Sequence, residues 1–377
     1  MTRERPAATL ADVNPAFGQT EIESVDQFDA QVSRTGSLSG CSIQSVDLTE
    51  HAAALRTAEV HGAVFLGCRF APGSEAEIEE RGALVFPALP DLPFNPYRTG
   101  LYSPAELYVD LDAGYRYTRD AVIYRWWRHV GQRRSLTSEL AMTLHDHAIT
   151  EALADLGLDG AIGVMGGHQL TRDDPTYAAA ARLGRQLAAE GHAVITGGGP
   201  GAMEAVNLGA ALVGSPDELD AAIAALAGHP RFTDAVEDWA RAAFEVATRW
   251  QLTGPSYGVP TWLYGHEPPN AFSVGVAKLF SNAIREDVLL RQASGGLVCL
   301  PGAAGTIQEI FQAVTPRYYA AEADRIPPLI LVGVDYWTQA MPAWPLLSAM
   351  ASGRAMDPRV RLVDSVAEVI PVLDEIS

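Results

Sequence analysis

Short apolar runs alternate with longer helical patterns along the second half of the chain. The runs are four to six residues long and rich in valine, isoleucine and leucine, which is typical of strands buried on both faces of a parallel sheet. Such strands are predicted at residues 161–165, 192–196, 259–264, 296–300, 328–332 and 359–363. Helical patterns separate them, including one over residues 271–293. The sequence therefore predicts an α/β fold with a Rossmann-like, doubly wound parallel sheet.

The first half of the chain shows a smaller version of this alternation. Strand patterns are predicted at residues 42–48, 63–68 and 83–86, with helical patterns between them and further helices over residues 103–155. We therefore expect two domains: a small α/β plus helical domain over residues 1–150, with a regulatory or oligomerising role, and a nucleotide-binding catalytic domain over residues 151–377. Residues 1 to 35 show no sustained period and are predicted to form a loose arm.

Composition and charge narrow the classes of partner. The 377 residues are 48% apolar and 19% charged, with a net charge of −19, which disfavours nucleic-acid polymers and anionic membranes and favours a small molecule. Three widely spaced cysteines suggest neither a disulfide framework nor a zinc ribbon. Without an apolar leader or an 18-residue apolar run, the chain is expected to be cytoplasmic.

The strongest local signal is the stretch VCLPGAAGTIQE at residues 298–309. An apolar strand runs into a glycine turn and then into a helix that carries Glu309 about one turn from its start. Gly302 and Gly305 allow a close backbone approach, Thr306 offers a hydroxyl, and the free N–H groups from Ile307 onward favour an anion. This predicts a phosphate cradle beside a reactive acid. A plain strand-to-helix turn with a capping threonine is the alternative.

A second glycine loop, GGGPG at residues 197–201, follows the next predicted strand and also opens a helix. Gly197, Gly199 and Ala202 fit the G-x-G-x-x-A spelling of dinucleotide-binding proteins, so an NAD(P)-dependent oxidoreductase is one alternative. Against it, the loop follows the second strand rather than the first, and Pro200 lies where backbone should approach a pyrophosphate.

The two loops together resemble the Lonely Guy family, through GGGPGAMEAVNLGA at 197–210 and PGAAGTIQE at 301–309. The resemblance covers roughly residues 160–335. Among the related proteins, the chain resembles the longer bacterial nucleotide nucleosidases. This resemblance implies a hydrolase that cleaves the N-glycosidic bond of nucleoside 5′-monophosphates to free base and ribose 5-phosphate. It also implies a homo-oligomer, a dimer or higher. The chemistry requires no metal and no organic cofactor.

The resemblance also implies the site residues. Glu309 would be catalytic, and the arginine of the helix before the second motif falls on Arg285. The implied substrate-binding residues are Gly166, Gly167, Gly197, Gly198, Gly199, Gly201, Met203, Gly302, Ala303, Ala304, Gly305 and Thr306. Two departures are Ala303, in place of a family glycine and tolerable if its φ is negative, and Glu204, also where short members have glycine.

Two further hypotheses remain open. One is a nucleotide-sensing protein of the same fold that has lost turnover, for which Ala303 is the sequence hint. The other is an anionic effector site in the N-terminal domain, formed by a basic cluster beside two tryptophans in an otherwise acidic chain. The cluster comprises Arg125, Arg128, Arg133 and Arg134.

Overall fold

The structure is a computed structural model that describes residues 20–130, 135–263 and 267–376. It forms two compact units that divide between Thr99 and Gly100. The helices of residues 103–155, which the sequence predicts as part of the N-terminal domain, lie in the C-terminal unit. They do so because their buried side chains bond to the segment that precedes a later helix: Asp146 accepts from the backbone N–H groups of Phe280 and Ser281 at 2.9 and 2.7 Å.

The N-terminal unit is built from coils of about twenty residues. Its strands are β1 (Thr20–Ile22), β2 (Cys41–Gln44), β3 (Asp47–Leu48), β4 (Val64–Leu66), β5 (Arg69–Phe70) and β6 (Leu84–Phe86). Its helices are α1 (Val25–Thr35), α2 (Ala52–Thr57) and α3 (Ser74–Glu80). Strands β1, β2, β4 and β6 pair in parallel in that order, with Thr20 beside Cys41 and Ser42 beside Val64. Each coil therefore stacks on the one before it.

Two sequence predictions for this unit need correction. The predicted strand over 42–48 is two strands, because Ser45 turns the chain with a φ of 57° between β2 and β3. The loose arm predicted over residues 1–35 is wrong for residues 20–35, which form β1 and α1. Ser24 caps α1 by accepting a hydrogen bond from the Gln27 N–H. Residues 1–19 lie outside the described part of the chain.

The C-terminal unit contains a seven-stranded parallel sheet. Its strands are β7 (Ile162–Met165), β8 (Val194–Thr196), β9 (Ser256–Gly258), β10 (Gly275–Val276), β11 (Gly296–Cys299), β12 (Leu329–Val332) and β13 (Val360–Val363). The order is β10-β9-β8-β7-β11-β12-β13. The strand order reverses between β7 and β11, so the predicted Rossmann-like sheet is confirmed, with its switch point at these two strands.

Helices cover this sheet and close an apolar core around Ile162, Val194, Val298 and Ile330. They are α4 (Pro104–Leu107), α5 (Arg119–Val130), α6 (Leu136–Ala154), α7 (Pro175–Ala189), α8 (Ala202–Ala211), α9 (Pro216–Leu226), α10 (Val236–Trp250), α11 (Asn282–Gln292), α12 (Ala304–Tyr319), α13 (Ala343–Ala351) and α14 (Val369–Ile376). No helix in the described residues is long and apolar enough to cross a membrane.

The helix predicted over residues 271–293 is too long. Its first part forms β10, which pairs with β9, and the helix begins only at Asn282, where the Ser281 hydroxyl accepts from the Ile284 N–H. The third strand is also displaced, to Ser256–Gly258 instead of 259–264. Apolar periodicity did not reveal these boundaries because residues 271–280 are nearly all buried whatever their conformation.

Candidate functional site

Arg285 and Glu309 form an ion pair at the switch point of the sheet. Arg285 Nη1 lies 3.1 Å from Glu309 Oε1, and both side chains are almost fully buried. Arg285 Nε also donates to the carbonyl of Val259 at 2.7 Å, which fixes the plane of the guanidinium. Helices α11 and α12 supply the two side chains, so the sheet brings together residues that are 24 positions apart.

The Glu309 carboxyl has an unusual proton affinity. Burial raises its pKa from 4.5 to about 7, the Arg285 guanidinium opposes that rise, and the neighbouring Glu286 carboxylate adds to it. A carboxyl that ionises near neutral pH can accept a proton from water at the pH of most cells. Buried acids with such shifts cluster at functional sites.

The start of α12 is exposed and has no side-chain cap among the described residues. Ala303 precedes the helix with φ −94° and no side chain caps it, while Ala303, Ala304 and Gly305 are exposed. The first helical bond runs from Ile307 N to the carbonyl of Ala303. The amides that lack a helical partner are therefore those of residues 304–306, not those from Ile307 onward as the sequence suggested. Glu309 lies in the second turn.

The glycines of this turn serve different purposes. A Cβ on Gly305 would meet no atom of the described residues within 4 Å, so the space beside Gly305 is open. A Cβ on Gly302 would instead collide with the Thr306 side chain. Gly302 is held further by the Tyr336 hydroxyl, which donates to its carbonyl at 2.8 Å. Because Ala303 has a negative φ, an alanine there does not strain the turn.

The first-strand turn at Gly166 and Gly167 packs directly against this cradle. Gly167 N donates to the carbonyl of Pro301 at 2.9 Å, and the Gly167 carbonyl accepts from Ala202 N at 3.1 Å. A Cβ on Gly166 would lie 2.8 Å from that of Ala202. The turn after β7 therefore joins the loops after β8 and β11.

The loop of residues 197–201 lies against the side chain of Arg285. A Cβ on Gly197 would lie 2.5 Å from Arg285 Nη2 and 2.7 Å from Met203 Sδ, so only glycine allows this approach. Gly198 and Gly201 have φ values of 72° and 74°. As predicted from the sequence, the loop follows β8 rather than β7, the first strand of the sheet. This position argues against a dinucleotide-binding site.

Asn270, which sequence reasoning missed, holds that loop. Its backbone N–H donates to the carbonyl of Gly198 at 2.9 Å and its side-chain amide donates to the carbonyl of Gly199 at 3.1 Å. The same amide donates to Asn207 Oδ1 at 3.0 Å. An asparagine after two prolines is a weak signal in a sequence, because its partners lie 63 to 72 residues away.

Arg172, a second residue that the sequence analysis did not identify, explains why Glu204 can be buried. Arg172 Nε lies 3.1 Å from Glu204 Oε2 and Arg172 Nη2 lies 2.5 Å from Oε1, and each side chain is only 1% exposed. Arg172 also donates to the carbonyl of Trp239 at 2.9 Å and stacks on its ring. The available signal was a single charged residue in a helix of mostly apolar residues, since such a group needs a partner when it is buried.

A cavity of about 260 Å³ adjoins the loop of residues 197–201. Its walls include Pro200 and Gly201 from the loop, His168 after β7, and Phe232 before α10. Glu204 contributes to the wall, so the buried pair with Arg172 also shapes this space. The cavity lies at the edge of the sheet where open α/β folds bind ligands.

The basic cluster of α5 is only partly described, because Arg133 and Arg134 lie outside the described residues. Arg125 and Arg128 are exposed, while Trp126 packs edge-to-face on Phe280. The tryptophan thus has a packing role, and effector binding stays a prediction.

The chain matches two family models. Residues 160–215 match the model described as SLOG cluster4 family, and residues 239–373 match the model described as Possible lysine decarboxylase. The first match contains the loops after β7 and β8, and the second contains Arg285 and Glu309. No protein of curated function matches the chain.

Two solved structures are among those similar to the chain. One is the molybdenum cofactor binding protein from the phototrophic bacterium Rippkaea orientalis, with 20% identity, 58% of this chain and 97% of that chain covered, and a TM-score of 0.34. The other is the Moco carrier protein from Chlamydomonas reinhardtii, with 17% identity, the same two coverages and a TM-score of 0.34.

Proposed function

Because the Rossmann-like unit of this chain belongs to the Lonely Guy family, we propose that the protein hydrolyses the N-glycosidic bond of nucleoside 5′-monophosphates. The observation that carries the proposal is the buried Arg285–Glu309 pair, whose Glu309 lies one to two turns from an uncapped helix start with open space beside Gly305. An anion site and a reactive acid at this separation suit a sugar phosphate.

In the proposed reaction the amides at the start of α12 bind the 5′-phosphate and fix the ribose beside Glu309. Cleavage builds positive charge on C1′ and the ring oxygen, which a carboxylate stabilises. Glu309 also accepts a proton from the attacking water. Arg285 keeps the carboxylate oriented through its own bond to Val259, so the acid does not have to reorganise during the reaction.

The first prediction concerns the phosphate. Free nucleosides should be poor substrates, because each hydrogen bond to a charged group contributes about 1.5–3 kcal/mol. Their kcat/KM should be about 10²-fold lower than that of the corresponding monophosphates. Gly305→Val fills the open space beside this position and should remove most of this preference, leaving the slow nucleoside reaction unchanged. Equal kcat/KM values for a nucleoside and its monophosphate in the wild-type protein would exclude a phosphate role for α12.

The second prediction concerns the base, which we place in the cavity beside residues 197–201. Stacking of a base on an aromatic ring contributes about 1–3 kcal/mol, so Phe232→Ala should raise KM about tenfold. Inhibition by ribose 5-phosphate, which has no base, serves as the control and should keep its inhibition constant. An unchanged KM, or an equal change in both constants, would place the base elsewhere.

The nucleotide-sensing alternative has lost its sequence support, since Ala303 adopts a φ that alanine tolerates. It remains an outcome of the activity measurement. Tight binding of a nucleotide without any release of ribose 5-phosphate would favour it.

A further inference from the structure

Glu286 is a second buried acid at the Arg285–Glu309 pair. Its Oε1 lies 2.5 Å from Arg285 Nη1, the same nitrogen that contacts Glu309 Oε1 at 3.1 Å. Glu286 is 2% exposed, whereas the next residue of α11, Asp287, is exposed and pairs with Arg291. The helix therefore points one of two adjacent acids into the site.

The charges of these three side chains do not cancel. When both carboxyls are ionised they carry two negative charges against the single positive charge of Arg285, all in a site removed from water. The second oxygen of Glu286, Oε2, is buried and has no hydrogen-bond partner among the described residues. A buried carboxylate with one satisfied oxygen costs stability, and such a cost is typical of groups kept for function.

We propose that Glu286 is a positioning residue that competes with Glu309 for one guanidinium nitrogen and so makes Glu309 a stronger proton acceptor. The Arg285 bond is shorter to Glu286 than to Glu309, so the guanidinium neutralises the neighbouring acid more than the reactive one. The like charge of Glu286 further disfavours an ionised Glu309. This role rests on the proposed hydrolysis, because it matters only if Glu309 takes up a proton.

Within the described part of the chain, the titratable and charged groups that act on Glu309 come from two elements. Helix α11 supplies Arg285 and Glu286, which act in opposite directions on the pKa of Glu309. Strand β11 supplies Cys299, whose thiol is fully buried with its pKa raised far above neutrality, so it stays uncharged. Glu286 is therefore the neighbour that makes Glu309 more basic.

The proton balance of the step is simple. The oxygen of water forms a bond to C1′ as the C1′–N bond breaks, and the bonding electrons leave with the base. One proton of the water moves to Glu309, and the departing base takes a proton from solvent. Glu309 then returns its proton to solvent. A more basic Glu309 removes the water's proton more readily, which is the contribution we assign to Glu286.

The test compares Glu286→Gln with Asp287→Asn, which removes a charge from the adjacent exposed position. The acidic limb of the pH profile of kcat/KM should move to lower pH by about one unit in Glu286→Gln and stay in place in Asp287→Asn. The direction follows from the sign: loss of a nearby negative charge favours ionised Glu309, so the base is active at lower pH. Because both variants use the same substrate, its own titration cancels in the comparison.

A second readout does not depend on activity. In protein labelled with ¹³C-carboxyl glutamate, the Glu309 signal is identified by its absence from Glu309→Gln, and its titration midpoint is measured in each variant. The midpoint should fall in Glu286→Gln. Glu286→Met, which fills a similar volume without charge, replaces that variant if it does not fold.

The outcomes separate the two proposals. A lower midpoint in a protein that hydrolyses no nucleotide would reject the proposed function and leave the Glu286–Glu309 coupling intact. Hydrolysis with an unchanged midpoint and acidic limb in Glu286→Gln would overturn the role of Glu286 alone.

Discussion

Glu309→Gln is expected to lower kcat about 10²- to 10⁴-fold while the protein still binds its nucleotide. The range is that of general acid and base groups, and the amide keeps the shape of the side chain without its charge or basicity. Arg285→Ala should also lower kcat, and the double variant should lose far less than the product of the two effects, because the two side chains act through one contact. Single-turnover hydrolysis and equilibrium binding on the same samples measure both quantities.

The stability of Glu309→Gln distinguishes catalysis from structure. Because folding raises the pKa of Glu309 from 4.5 to about 7, the folded state binds the proton more tightly, and the group costs stability as the pH rises through this window. Glutamine removes that cost, so at pH 8 the variant should melt no lower than the wild type. Near wild-type turnover in a folded Glu309→Gln sample would remove the catalytic assignment.

Breaking the Arg172–Glu204 pair is expected to cause the largest loss of stability. Each single replacement, Arg172→Ala or Glu204→Ala, leaves one uncompensated charge in a site that is 1% exposed. Removing one partner of such a buried pair costs about 3–5 kcal/mol. The exposed pair Arg182–Asp220, at 56% and 53% exposure, is the matched control and should lose at most about 1 kcal/mol.

The pair should also show strong coupling. Replacing both members with apolar residues, as in Arg172→Met with Glu204→Leu, should recover much of the stability lost in Arg172→Met or in Glu204→Leu alone, since no unpaired charge then remains. Denaturant unfolding at pH 7 gives the four free energies required. Losses that simply add in the double variant, or a loss under about 1 kcal/mol in Arg172→Ala, would show that Arg172 does not compensate the buried charge of Glu204.

Local signals were sufficient for five of the seven strands of the sheet, β7, β8, β11, β12 and β13, and for the placing of the two loops. Strands such as β7, β8 and β11 are short apolar runs next to glycine, and the helices that follow them start where the loops end. The approach of Arg285 to Glu309 followed from the resemblance, and the structure places them 3.1 Å apart. The strands and loops could be predicted because their signals come from residues close in sequence. The Arg285–Glu309 contact could be predicted because both residues lie in segments that resemble the family.

The long-range contacts around the site could not be predicted from the sequence. Asn270 and Arg172 bond to partners 32 to 71 residues away, and a single polar residue carries no pattern that identifies such a partner. The segment 271–280 has a helix-like pattern because nearly uniform burial removes the periodicity that distinguishes a helix from a strand. Glu286 was adjacent to Arg285 in the sequence, but which of the acids 286 and 287 faces the site depends on how α11 is rotated.

The most direct test of the proposed function is the release of ribose 5-phosphate by the purified wild-type protein incubated with AMP, GMP, CMP or UMP. The account predicts that at least one of these nucleotides yields free base and ribose 5-phosphate in equal amounts, with an acidic limb near pH 7 and none of this activity in Glu309→Gln. No release from any of the four, in a folded protein that still binds one of them, would contradict it.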